Sequence, residues 1–112
     1  MEHWEMIHTE ERDGFLVTFS VAPETKDPRG QFMLEDGSDD EKIIERIHSG
    51  YYAWFIARVE ASRAGIVLGT DYLGACCYES AQAFVTEDGY YPDMVDEALT
   101  AARATLASLC AQ

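Results

Sequence analysis

The chain has 112 residues, 47% of them hydrophobic and 12% aromatic, and a formal net charge of −13 at pH 7. That length and composition belong to one folded domain, large enough to bury an apolar core without disulfide or metal staples, and not to a disordered chain. The charge disfavours direct binding of nucleic acid or anionic membranes, because the phosphate attraction on which such affinity depends turns into repulsion.

The first predicted element is a β-hairpin over HWEMIHTEERDGFLVTFSVAP. Trp4, Met6 and His8 alternate with Glu5, Ile7 and Thr9, and Phe15, Val17, Phe19 and Val21 alternate with Leu16, Thr18 and Ser20. Period-two patterning of this kind puts one strand face in a core. Asp13-Gly14 between the runs supplies the hairpin turn. Residues 22–37 carry Pro23, Pro28, Gly30 and Gly37 and read as a long loop, anchored by the apolar knot Phe32-Met33-Leu34. Ser38 with Glu41 has the form of a capping box and opens a helix whose apolar face is Ile43, Ile44 and Ile47, closed by Ser49-Gly50.

Residues 51–60, YYAWFIARVE, are aromatic and β-branched and read as a third strand, with Trp54, Ile56 and Arg58 on one face and Phe55, Ala57 and Val59 on the other. ASRAG turns the chain and IVLGTDYLG returns it as a fourth strand. YESAQAFVTEDG reads as a short helix capped by Ser80 and stopped at Gly89. Pro92 then opens a long helix striped by Val95, Ala98, Leu99, Ala102, Leu106 and Leu109 at the helical period. The order ββαββαα predicts a single α+β domain over residues 1–112: a four-stranded, mainly antiparallel sheet with helices packed on one face.

No apolar run reaches the length of a membrane span. The start is acidic and lacks a basic segment followed by an apolar one, so no signal peptide is expected. Three cysteines, one of them odd, do not form a secreted disulfide framework, and a cytoplasmic location with reduced thiols is expected.

The stretch GTDYLGACCYES draws attention for its paired cysteines. In an extended strand Cys76 and Cys77 point to opposite faces and cannot chelate one metal together. Their surroundings are acidic, whereas a reactive thiol needs positive neighbours to lower its pKa. They read as small hydrophobes ending a buried strand, with Gly69 and Gly74 allowing a bend or close packing. No metal site, no cofactor and no catalytic residue is expected. Asp71 in the same strand needs a partner, and Arg58 on the neighbouring strand is the expected one. A functional alternative makes Asp71, Tyr72, Arg58 and Trp54 the lining of a pocket in a small-molecule-binding domain or small enzyme.

Acidic residues cluster twice: Glu35, Asp36, Asp39, Asp40 and Glu41, then Glu87, Asp88, Asp93, Asp96 and Glu97. Helix starts favour acids through their exposed amides and dipole, which accounts for the location. It does not account for a chain with Lys26 and Lys42 as its only lysines and no lysine or arginine between Arg63 and Arg103. The functional reading is contact with a basic protein, including one that handles nucleic acid, through Asp36, Asp39, Asp40, Glu41, Glu87, Asp88, Asp93, Asp96 and Glu97. Neither cluster has the spacing of a calcium loop. Tyr51, Tyr52, Tyr90 and Tyr91 suit packing over a sheet edge or an interface. A homodimer through a sheet edge or the long helix stays open.

At AGIVLGTDYLGACCYES and DGYYPDMVDEAL the chain resembles short acidic bacterial proteins carried on plasmids, phages and genomic islands. The resemblance covers roughly residues 50–110 and the start HTEERDGF. That group has no established activity, so it assigns no site residues. It implies a mobile-element context and interference with a host protein.

Overall fold

A computed structural model describes residues 3–110. The elements run β1 (Glu5–Arg12), β2 (Phe15–Pro23), α1 (Glu41–His48), β3 (Ala53–Arg63), β4 (Ile66–Tyr78), α2 (Ala81–Thr86) and α3 (Tyr90–Cys110). The four strands form one antiparallel sheet in the order β1-β2-β3-β4. This is the α+β architecture that the alternating and striped segments predict.

One face of the sheet is the core face. Val17, Phe19, Ala57, Val59 and Ala61 are fully buried there against Phe84 of α2 and Val95, Ala98 and Ala102 of α3. Phe19 stacks on Phe84, and Tyr91 meets Phe19 edge-on. Small residues set how close α3 sits. A β-carbon at Gly69 would overlap the Ala98 carbonyl oxygen and lie 2.6 Å from the Ala102 amide nitrogen, so strand and helix backbones touch at this point. The stripe on α3 is buried from Tyr91 to Ala102, half-buried at Leu106 and exposed at Leu109.

Both hairpins turn on two left-handed residues, Asp13-Gly14 and Ala64-Gly65. The second turn is tighter than ASRAG suggested, because contacts to β2 hold the end of β3 extended. Ala61 is buried, the Ser62 hydroxyl donates to the Leu16 carbonyl, and the Arg63 guanidinium lies 4.1 Å from the Phe15 ring centroid while its Nε donates to the Gly14 carbonyl. In β1 the register shifts between Met6 and His8, so these two do not share a face: Met6 lies opposite Ser20, and His8 opposite Phe19, with its ring against Tyr91.

The start of α1 differs from the expected capping box. Asp40, not Ser38, is the N-cap, its side chain accepting from the Lys42 amide. Ser38 is used earlier: its amide and its hydroxyl both donate to Asp36 Oδ1. Residues 32–40 fold back on themselves through Leu34 N to Ser38 O and Asp40 N to Phe32 O, which draws Ser38 out of the helix. Of the apolar knot only Phe32 tucks in, edge-on to Trp54 with centroids 5.6 Å apart, while Met33 and Leu34 are exposed. Gly50 closes α1 at φ 85°.

β4 carries a bulge where Phe55 pairs with Cys76 but Ala57 pairs with Leu73. Ala75 sits there at φ 56°. The Glu24 carboxylate holds the bulge, accepting from the Ala75 amide at 2.7 Å and from the Lys26 amide at 3.2 Å.

Candidate functional site

Cys76 and Cys77 do fall on opposite faces, Cys76 opposite Phe55 in the core and Cys77 opposite Trp54. Burial pushes the Cys76 thiol up to about 11, and burial raises Cys77 as well. Both are therefore held as neutral thiols near neutral pH. Among the described residues no three His, Cys, Asp or Glu side chains converge as a metal-holding group.

The candidate pocket of Asp71, Tyr72, Arg58 and Trp54 is not assembled. Strand register places Arg58 opposite Tyr72 but Asp71 opposite Val59. Directly opposed residues share a face, so Asp71 lies on the helix-covered side with Val59, and Arg58 and Tyr72 on the other. The expected Asp71–Arg58 pair is replaced by Arg58 with Glu60 at 3.3 Å. Arg58 also lies 4.1 Å from the Trp4 ring centroid, and Trp4 packs beside Tyr72 at 6.2 Å. This stack holds the segment preceding β1 onto the uncovered face of the sheet.

The two acidic clusters divide. In the first, Asp36 accepts from Ser38, Asp39 accepts from the Gly30 amide at 2.7 Å, and Asp40 caps α1. Arg29 bridges Asp39 and Glu41, its Nη1 lying 2.9 Å from Glu41. These four carboxylates fasten the 24–40 connection to α1. In the second, Glu87, Asp88, Asp93, Asp96 and Glu97 are exposed, and none forms an ion pair among the described residues. Glu87 ends α2, and Asp88 sits at φ 62° in the turn to α3.

Two adjoining hollows open between this turn and the 24–52 connection. They share Phe32, Cys77 and Tyr78. One, of about 240 Å³, reaches along β4 to Tyr90 and the Gly74–Ala75 bulge. The other, of about 380 Å³, is lined by Phe32, Ile43, Tyr52, Cys77, Tyr78, Glu79, Glu87 and Asp88. Burial and the neighbouring Asp88 carboxylate raise the Tyr78 hydroxyl above its ordinary value, so it stays protonated. At the edge, the Arg46 guanidinium lies 5.4 Å from the Tyr51 centroid and 6.0 Å from that of Tyr52, and donates to the Tyr52 hydroxyl at 3.4 Å. The hollow thus gathers aromatic walls and a carboxylate rim, with no basic residue in its lining.

Of the residues expected to meet a partner, Glu87 and Asp88 reach this hollow, Asp93, Asp96 and Glu97 lie on the first turns of α3, Asp36 and Asp39 belong to the loop, and Asp40 and Glu41 to the start of α1. Glu24 and Glu79 were missed as site or scaffold residues, and Tyr52 and Tyr78 line this hollow rather than a pocket with Asp71. Their pattern in the chain signals strand ends and turns, and only the fold brings them together. No family model, similar curated protein or solved structure matches the chain. No helix among the described residues is long and apolar enough to cross a membrane.

Proposed function

We propose that the protein is a non-catalytic binding module that contacts a basic protein partner in the cytoplasm through Glu79, Glu87, Asp88, Asp93, Asp96 and Glu97. The observation that carries this reading is the difference between the two acidic clusters. The first is spent on internal bonds, whereas the second leaves its carboxylates exposed and without cationic partners among the described residues. Unneutralised like charge on one surface destabilises a compact chain slightly and attracts cationic surfaces over the Debye length. The resemblance to short acidic proteins of mobile elements supports a host protein as that partner.

The test is capture from host extract at low and high salt, with Glu87→Gln, Asp88→Asn, Asp93→Asn, Asp96→Asn and Glu97→Gln combined in one variant. A control variant, Glu5→Gln with Glu11→Gln, removes charge from β1 instead. Capture is expected to fade as salt shortens the Debye length from about 10 Å at 0.1 M to about 3 Å at 1 M. It is also expected to vanish in the five-site variant and persist in the control. Capture indifferent to both salt and the five substitutions refutes this surface.

A further inference from the structure

The geometry points to a guanidinium-binding site in the 380 Å³ hollow beside Cys77, whose ligand is an arginine side chain of the partner. This assignment rests on the reading that the acidic surface meets a basic protein, and it adds which cation is recognised and where. Three features of the lining select the chemistry.

First, Phe32, Tyr52 and Tyr78 present aromatic surface, and ring faces attract cations, most of all planar, weakly hydrated ones. Second, Glu79, Glu87 and Asp88 supply several acceptor oxygens with no basic residue in the lining to satisfy them. A quaternary ammonium has no N–H to offer those oxygens, and a neutral apolar ligand would strip water from the carboxylates without replacing it. A guanidinium stacks on a ring and donates in a fork to carboxylates at once. A lysine ammonium is a hydrated point charge that stacks poorly. Third, a guanidinium already rests on aromatic rings at the margin of the hollow. Arg46, which is outside the lining, lies over Tyr51 and Tyr52 and bonds to the Tyr52 hydroxyl. Asp88 takes a left-handed backbone in the turn to α3, and its carboxylate neighbours the Tyr78 hydroxyl.

The experiment titrates the full chain with capped tripeptides Gly-X-Gly in which X is arginine, citrulline or lysine, and separately with guanidinium ion. Citrulline keeps the shape of arginine and removes the charge. Backbone amide resonances of Cys77, Tyr78, Glu79 and Asp88 report occupancy. The arginine peptide is expected to shift them saturably, the citrulline peptide to bind at least about tenfold more weakly, and the lysine peptide to fall between. Tyr52→Leu and Asp88→Asn are each expected to weaken the arginine peptide severalfold, while Tyr52→Phe, which keeps the ring face, retains it. Asparagine tolerates the left-handed backbone at this position, and unchanged circular dichroism confirms that the variants fold.

Equal binding of citrulline and arginine, shifts confined to other surfaces, or no saturable shift overturns the site. Guanidinium ion binding as tightly as the peptide overturns the side-chain assignment in favour of a free guanidino solute. The two proposals fail separately. Arginine-peptide binding together with capture that ignores the five-site variant sinks the partner surface alone, and capture that needs those acids without peptide binding sinks this site alone.

Discussion

Replacing Gly69 by alanine probes the closest approach in the fold. The added β-carbon would collide with the Ala98 carbonyl oxygen and lie 2.6 Å from the Ala102 nitrogen and 3.1 Å from the Ala102 Cα. Comfortable contacts between heavy atoms are about 3.5–4.0 Å, so α3 has to lift from β4 by roughly an ångström. The obstacle is backbone on both sides, and no rotamer change relieves it. Lifting the helix also loosens the buried contacts of Val95, Ala98, Leu99 and Ala102. Overpacking costs about 1–3 kcal/mol, and a backbone collision belongs at the upper end of that range. Removing glycine from a strand interior returns about 0.5–1 kcal/mol. The net loss is therefore about 2 kcal/mol, which corresponds to a melting temperature lower by roughly 8–9 °C for a domain of this size.

Urea unfolding followed by circular dichroism measures the loss, with thermal melts as the second readout. Gly74→Ala is the milder comparison, because its β-carbon would meet only the Glu24 Oε1 at 3.1 Å, and a shift of a few tenths of an ångström relieves that contact while stretching the bond to the Ala75 amide. It is expected to cost less than about 1 kcal/mol. A Gly69→Ala protein within about 0.5 kcal/mol of the parent, or one more stable than Gly74→Ala, refutes the close approach of strand and helix.

Two further outcomes follow from the structure. Asp40→Ala removes the cap of α1 and is expected to cost about 1 kcal/mol in urea unfolding, more than Ser38→Ala, whose hydroxyl serves only the Asp36 turn. The reverse ranking would restore the Ser38 capping box. For pH, Cys76 titrates near 9.0 when unfolded but near 11 when folded, because burial disfavours its thiolate. The native state then keeps a proton that the unfolded state has released. Stability from this group is complete below pH 9.0 and declines toward pH 11. Tyr78 and Tyr91, also raised by burial, add to the decline. Cys76→Ala is expected to make that decline shallower in unfolding curves taken across the window, and a stability that rises with pH there contradicts the burial of the thiol.

Much of the fold was legible because the central strands bury one face over most of their length. Phe15 to Phe19 and Phe55 to Val59 alternate cleanly, whereas β2 is buried on both faces from Ser20 to Ala22, and Asp13-Gly14 names its own turn. Positions where a side chain has two competing local uses were not legible. Ser38 has the form of a helix cap, yet Asp36 two residues earlier takes its hydroxyl. Nor was pairing between strands legible: a register shift between Ala61 and Ser62, with Leu68 as the extra residue, moves Arg58 from opposite Asp71 to opposite Tyr72, and the second shift, at Gly74–Ala75, is held by Glu24 arriving from far along the chain. The site shows the same division. Glu87 and Asp88 stand out by charge, but the hollow they rim also needs Phe32, Ile43, Tyr52 and Cys77, drawn from the 24–40 connection, α1, the turn before β3 and β4.

The sheet is in effect two hairpins, β1–β2 and β3–β4, joined by residues 24–52. Each hairpin closes over a two-residue turn and forms quickly, whereas the β2–β3 seam waits for the long connection to close on itself. Substitutions that stiffen or shorten the connection are therefore expected to speed folding, which stopped-flow refolding measures. The same segment supplies Phe32 and Ile43 to the hollow, so the connection that joins the two hairpins also completes the hollow's wall.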